Sequence, residues 1–402
     1  MKDLSVVSRK VRKVRNRAAS ILWEPRLRKS LEATHSPHRV NPELAAFFAD
    51  SADLQYQMTQ WITPFERLSG AGHVVAFVIM DPLVARELRK KTWLPILLTR
   101  SMAEIEKFVA DKNIRGVFYV NNSQSNFTAL RMKSPVHVHL NHGESEKSSM
   151  VSNQLKAYDY AFIAGDAAEG RIAAEIKRFD RSHLVHIGRP QLDVPLVTEP
   201  KASNHQRITV LYAPTWEGDS KDMAYSSLTT VGVRLVQELL ADDRFTLLFR
   251  PHPKSGSWSR EAKGALRTIV GLVKEAARDD PGSRHGIDDS EDPVRTILGS
   301  DIVIADVSAM TMDAIGLDKN LILLSPENKP GERVGRGSES RLYTEIPTVF
   351  ADFKGRFPDL VAARVASGIP ASQADYRIAI FGDPGLGSGT SRFIDAVKKI
   401  MR

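Results

Sequence analysis

The stretch Phe249-Arg-Pro-His-Pro-Lys-Ser-Gly256 sets a guanidinium, Arg250, and an imidazole, His252, on either side of Pro251, directly after the apolar run Phe245-Thr-Leu-Leu-Phe249. Proline cannot donate to a sheet ladder, so a strand over 245–249 ends there. Open α/β sheets bind ligands beyond the carboxyl ends of their strands, where two basic groups held by prolines suit an anion. A proline-rich turn with solvated charges is the plainer alternative. His142-Gly143 follows another apolar run, Val136–Leu140, and an imidazole titrating near neutrality can serve there as a general base or be a satisfied strand-end histidine. Asp306-Val-Ser308 follows Ile302–Ala305 and precedes a helical stretch from Ala309 that should stop at Gly316. Ser308 stands as its N-cap, and the free N–H groups of such a first turn suit a phosphate, although a lone serine cap mostly binds nothing.

The elements that would carry these groups alternate between strands and helices from residue 73 onward, the pattern of βαβ units and a parallel sheet. A first set of strands reads over 73–80, 95–98, 116–120, 136–140, 160–164 and 184–187, and a second over 208–212, 245–249, 302–305 and 321–324, with helices such as 101–112 and 167–178 between. The polar, proline-bearing stretch 198–206 separates them as a linker, and 391–402 reads as a closing helix. The expectation is an α/β molecule of two Rossmann-like domains with parallel sheets facing a central cleft. A basic helical segment spans 1–70, a first domain 71–197 and a second domain 206–402.

The 402 residues contain no cysteine, which excludes disulfides and thiolate zinc sites and suits a reducing compartment. Residues 1–30 hold ten Lys and Arg against Asp3 and Glu24, so this segment alone accounts for the net charge of +8 and a nucleic-acid-binding body is not indicated. Leu4, Val7, Val11, Val14, Ala18 and Ile21 recur at helical steps among the basic residues. The segment reads as an amphipathic helix for an anionic membrane surface, or as a helix packed on the body with a solvated basic face. No apolar run reaches the ~18 residues of a membrane span, and no signal-peptide core is present. Phosphate-loop, zinc-protease and nucleophile-elbow motifs are absent, and Gly385–Thr390 reads as the loop before the last helix.

Taken in order, His142-Gly143 with Lys147, Gly188-Arg-Pro190 with Asp193, Tyr212-Ala-Pro-Thr-Trp216, Arg250-Pro-His-Pro253 and Asp301–Ser308 with Asp313 resemble the CDP-glycerol glycerophosphotransferase family of teichoic acid and capsule biosynthesis. The likeness spans roughly 70 to 400. It implies a GT-B fold, with the donor held by the second half and the acceptor approached from the first. His142 would then be the general base. Arg250, His252 and the helix start at Ser308 would hold the pyrophosphate, with Lys147, Thr215, Trp216, Pro251, Ala309 and Asp313 lining the site. The donor implied is CDP-glycerol or CDP-ribitol, and the acceptor a lipid-linked or polymeric hydroxyl, handled by a cytoplasmic protein peripheral on the inner face of the plasma membrane. No metal-ligand set is assigned; for a divalent ion Asp306 and Asp313 would be the carboxylates at hand, against a role in capping. Glu144, Glu217 and Ala309 depart from the family pattern, and they keep two alternatives open: a GT-B glycosyltransferase using a nucleotide sugar, and a non-catalytic membrane-recruited binding protein.

Overall fold

The computed structural model describes residues 23–146, 151–193, 207–218, 220, 224–290, 292–327, 339–382 and 388–401. Among them thirteen strands build two sheets. The first comprises β1 (Leu44–Phe48), β2 (Val75–Ile79), β3 (Ile96–Leu98), β4 (Gly116–Tyr119), β5 (Val136–His139), β6 (Tyr160–Ile163) and β7 (Leu184–His186). The second comprises β8 (Ile208–Ala213), β9 (Phe245–Phe249), β10 (Gly286–Ile287), β11 (Ile302–Asp306), β12 (Asn320–Leu324) and β13 (Thr348–Val349). Their orders are β3-β2-β1-β4-β5-β6-β7 and β10-β9-β8-β11-β12-β13, with every pairing parallel. Each sheet therefore reverses its winding once, between β1 and β4 and between β8 and β11, and the crevice outside such a reversal is where doubly wound folds take ligands. The helices cover both faces, so the central strands are buried on both sides and read as continuous apolar runs.

Two elements fall outside the expected domain limits. β1, all five residues buried, is the strand at which the first sheet reverses, so this domain begins well before residue 71. Its sequence, Leu-Ala-Ala-Phe-Phe, is too short for periodicity to separate strand from helix, and only its pairing with β2 and β4 settles it. The closing helix, Ser388–Ile400, crosses back to the first domain. Its Phe393 packs against Trp61, Phe65, Phe118 and Phe162 at ring separations of 5.5 to 6.2 Å. A helix records its apolar face locally but not which core that face will enter.

Residues 23–34 are helical, with Leu27 and Leu31 buried in the first domain and the Arg86 guanidinium 4.9 Å over the Trp23 ring. This end of the expected basic helix is thus packed on the body. Residues 1–22 and the whole of the expected linker, 198–206, lie outside the described residues. Among the described residues no helix is long and apolar enough to cross a membrane.

Candidate active site

The second sheet's reversal is built around Asp306, the last residue of β11. The carboxylate is fully buried and accepts from the backbone N–H of Thr215 (2.7 Å) and of Ser227 (3.1 Å). It therefore ties the loop after β8 to the strand beside it. Thr215 is buried as well, its carbonyl accepting from Ser226 Oγ at 2.8 Å, so it shapes the cleft wall from behind. Two residues on, Ser308 occupies the N-cap position of the Ala309–Gly316 helix in extended conformation, yet its side chain caps nothing. Ser308 Oγ is buried without a hydrogen-bond partner, an uncompensated cost of about 1–3 kcal/mol that a ligand acceptor or donor would remove. The helix stops at Gly316, as its sequence predicts.

The loop after β8 next meets the turn after β9. His252 lies flat against Trp216, ring centroids 6.5 Å apart, and the Lys254 ammonium stands 5.2 Å from the same indole. The Lys254 N–H donates to His252 Nδ1 (3.1 Å), so the neutral ring carries its proton on Nε2. Pro251 is half-buried between this pair and the strand. Glu217 then accepts from the N–H groups of Gly256 (2.9 Å), Trp258 (2.7 Å) and Ser259 (3.1 Å), at the start of the Arg260–Asp279 helix. The carboxylate that departs from the family pattern thus fills an anion-favouring nest of its own chain instead of opposing an anionic donor. Glu217→Lys removes three acceptors and puts a cation at a helix amino end; denaturant unfolding should show a loss of about 2–3 kcal/mol, with Glu217→Gln losing less.

Arg250, expected to hold the pyrophosphate, is engaged within its own domain. Its guanidinium donates to Asp288 Oδ2 (2.5 Å), Ser290 Oγ (3.1 Å) and the Ser290 carbonyl (2.8 Å). The reason is the two-residue strand β10: Ile287 pairs with Phe249, so Asp288 emerges beside Arg250. Hydrogen bonds from Thr296, Ser290 and Arg250 outweigh burial and hold the Asp288 carboxyl below its usual range. Arg250 braces the loop beneath the turn, and Lys254 is the cation the turn presents.

Across the cleft, β5 ends and Asn141 takes a left-handed conformation (φ 59°), its carbonyl accepting from Trp61 Nε1 at 2.6 Å. This kink projects His142-Gly143 toward the second domain. A methyl group placed on Gly143 would stand 3.2 Å from Ala309 Cβ, so the loop and the first turn of the Ala309–Gly316 helix touch. Ala309 accordingly serves close packing there, and any larger residue at 143 would press on it. The His142 ring is edge-on to Tyr56 (5.9 Å, 86°), and Tyr56 is edge-on to His252 (6.4 Å, 83°). His142 Nδ1 is buried without a partner, as is Nε2 of the neighbouring His139. Burial first, then the charges of Arg189 and Lys254, pull the His142 pKa down to about 4; burial and then His142 pull His139 down to about 3. Both rings are neutral at pH 7.

Asp313, expected to line the site, is engaged as well. It is 2% exposed, and its two oxygens accept from Arg189 Nε (2.5 Å) and Nη2 (3.2 Å), a fork that joins the domains behind the cleft. Asp306 and Asp313 are thus engaged by protein groups, and among the described residues no cluster of His, Asp and Glu is arranged for a metal ion. Glu144 meets buried Arg171, which also holds Glu146, and Tyr376 of the second domain donates to Glu146 at 3.0 Å. The second departing carboxylate is therefore neutralised inside the protein. Lys147 lies outside the described residues.

The structure thus brings together His142, His252, Trp216, Ser308 and Ala309, and sets Arg250, Thr215 and Asp313 behind them as supports. Sequence reading passed over Tyr56, Lys254 and Arg189 as site residues. The last two stand inside the quoted motifs and could have been chosen for their charge, whereas Tyr56 carries no local signal.

Two parallel sheets that each reverse once, with a helix start and the His142-Gly143 loop facing each other between them, define a GT-B-like architecture. Solved structures agree. The chain is similar to a glycosyltransferase from Rickettsia africae (13% identity over 90% of this chain and 100% of that one, TM-score 0.56). It is similar to the wall teichoic acid polymerase TagF (16%, 98% of both chains, TM-score 0.55) and to UDP-GlcNAc 2-epimerase from Neisseria meningitidis (10%, 89% and 99%, TM-score 0.55). At these identities the likeness is one of fold. No curated protein matches the chain in sequence. Residues 102–354, more than half of the chain, match the CDP-glycerol:poly(glycerophosphate) glycerophosphotransferase family, and the chain belongs to it. It is therefore a transferase, with CDP-glycerol as the donor that moves a polyol phosphate.

Proposed function

We propose that this chain moves glycerol phosphate from CDP-glycerol to a hydroxyl of a cell-envelope polymer or lipid-linked acceptor and releases CMP, with His142 as general base. The observation that carries this is the unpartnered His142 nitrogen, held neutral, on a loop in contact with the open amino end of the Ala309–Gly316 helix. The acceptor oxygen bonds to the phosphorus that bears glycerol and its proton passes to His142. The bond from that phosphorus to the bridging oxygen breaks, and CMP leaves with the oxygen. Ser308 Oγ, the first N–H groups of its helix, Lys254 and His252 surround the pyrophosphate and take up the charge that grows on the leaving group. A base with a pKa of about 4 is weak; burial lowers it most and two nearby cations lower it further, and a bound pyrophosphate offsets the cations' share and raises it. TagF has been solved after a soak with CDPG, which is consistent with a donor of this kind on the shared fold.

Incubating the full chain with glycerol phosphate oligomers and, in turn, CDP-glycerol, CDP-ribitol and UDP-GlcNAc tests the proposal. CMP should appear with CDP-glycerol and only when acceptor is present. Release of UDP alone would assign the fold to sugar transfer, and no release from any donor despite a folded protein would favour a binding role.

The basic segment supports a place on the inner face of the plasma membrane, the seven cations of residues 1–22 suiting anionic lipid. Flotation with phosphatidylglycerol vesicles should recover the full chain at low salt and far less of a chain lacking residues 1–22; equal recovery would end this assignment.

A further inference from the structure

The strongest group not yet given work is Tyr56. It opens the short Tyr56–Thr59 helix, which follows the end of β1, the reversal strand of the first sheet. It lies outside the 102–354 region that matches the family. Its ring is nearly perpendicular to both cleft imidazoles, 5.9 Å from His142 of one domain and 6.4 Å from His252 of the other. With His252 flat on Trp216, an unbroken row of rings, His142, Tyr56, His252 and Trp216, spans the cleft. The Tyr56 hydroxyl meets Gln57 Nε2 only at 3.5 Å, and burial raises its pKa, so it stays a neutral phenol.

We propose that Tyr56 is a positioning residue for the transfer, its ring setting the spacing of the two imidazoles and excluding water between them, with no chemical use of its hydroxyl. The proposal rests on the assignment of His142 and His252 to the reaction. Perpendicular aromatic pairs hold a preferred orientation, and a base displaced by about 1 Å can cost on the order of a hundredfold in rate.

The test measures CMP release by the full chain with CDP-glycerol and glycerol phosphate oligomers. Tyr56→Leu should lower kcat at least about tenfold and change the KM for CDP-glycerol less than about threefold, because an oriented base matters in the transition state and little in the ground state. Tyr56→Phe, which keeps the ring, should stay within about threefold of the parent in both. If the Leu variant melts early, Tyr56→Met, whose unbranched and adaptable chain can better fill the space of the ring, replaces it. Parent-like kcat in the Leu and Met variants overturns the proposal, as does a Phe variant as slow as the Leu one, which would give the hydroxyl a chemical role. An inactive His142→Ala beside an active Tyr56→Leu sinks this inference alone. An active His142→Ala sinks it together with the reading beneath it.

Discussion

His142→Ala should lower CMP release from CDP-glycerol by about a hundredfold or more, the usual contribution of a positioned general base, or roughly 2.7 kcal/mol of barrier. The fold should survive. His142 is held against its own preference, with one ring nitrogen buried and unpartnered, and with burial first and then two cations bringing its pKa to about 4. Alanine removes that burden along with the packing on Tyr56, so melting temperatures at pH 7.5 should stay close to the parent. The pH dependence supplies a second reading of the same residue. The unfolded chain takes up this proton near pH 6.5 and the folded chain near 4, so between those values the unfolded state binds more protons. Stability therefore falls as pH drops from about 6.5 toward 4, and His139, held at about 3, adds in the same direction. His142→Ala should flatten the fall between pH 6.5 and 5. An unchanged turnover would remove the mechanism, and an unchanged acid profile would deny that the imidazole is buried neutral.

Arg189→Met should be among the most destabilising single changes, by about 3–5 kcal/mol, because it leaves the Asp313 carboxylate buried and uncompensated. The side chains of the pair are 6% and 3% exposed and come from different domains, so the loss also loosens the stance that sets Gly143 on Ala309. Asp313→Leu should cost a similar amount by stranding the guanidinium. The double variant should recover most of the stability, since a buried ion pair can be replaced by apolar side chains at little net cost, yet it should stay impaired in transfer. Denaturant unfolding of the two singles and the double closes the cycle. Additive losses would mean that the fork does not act as a unit.

Much of this was legible before any coordinates. Ten of the thirteen strands among the described residues were readable as apolar runs, and the two-domain α/β organisation followed from their alternation with helices. The start of the Ala309–Gly316 helix, the break after Phe249 and the strand-end place of His142 came from side-chain types alone, because proline, small polar caps and apolar runs act on their immediate neighbours. The missed strands show the limit of that reading. β10 and β13 have two residues each, and β1 is a five-residue run, too short for a period to declare itself.

What the amino-acid order determined by itself was the inventory: which groups could meet an anion or take a proton, and at which strand ends they stand. Only the tertiary structure decided which of them remain at hand. Arg250 and Asp313 carry the right charges, but each met an opposite charge from a distant segment, Asp288 beside a two-residue strand and Arg189 in the other domain. Glu144 and Glu217, which depart from the family pattern, were absorbed by Arg171 and by a helix start. Tyr56 offered no motif and arrived between two imidazoles through the pairing of β1. The physical reason is common to all of these. Charge and polarity are properties of a residue, whereas their compensation depends on partners that only long-range packing brings within a few ångströms.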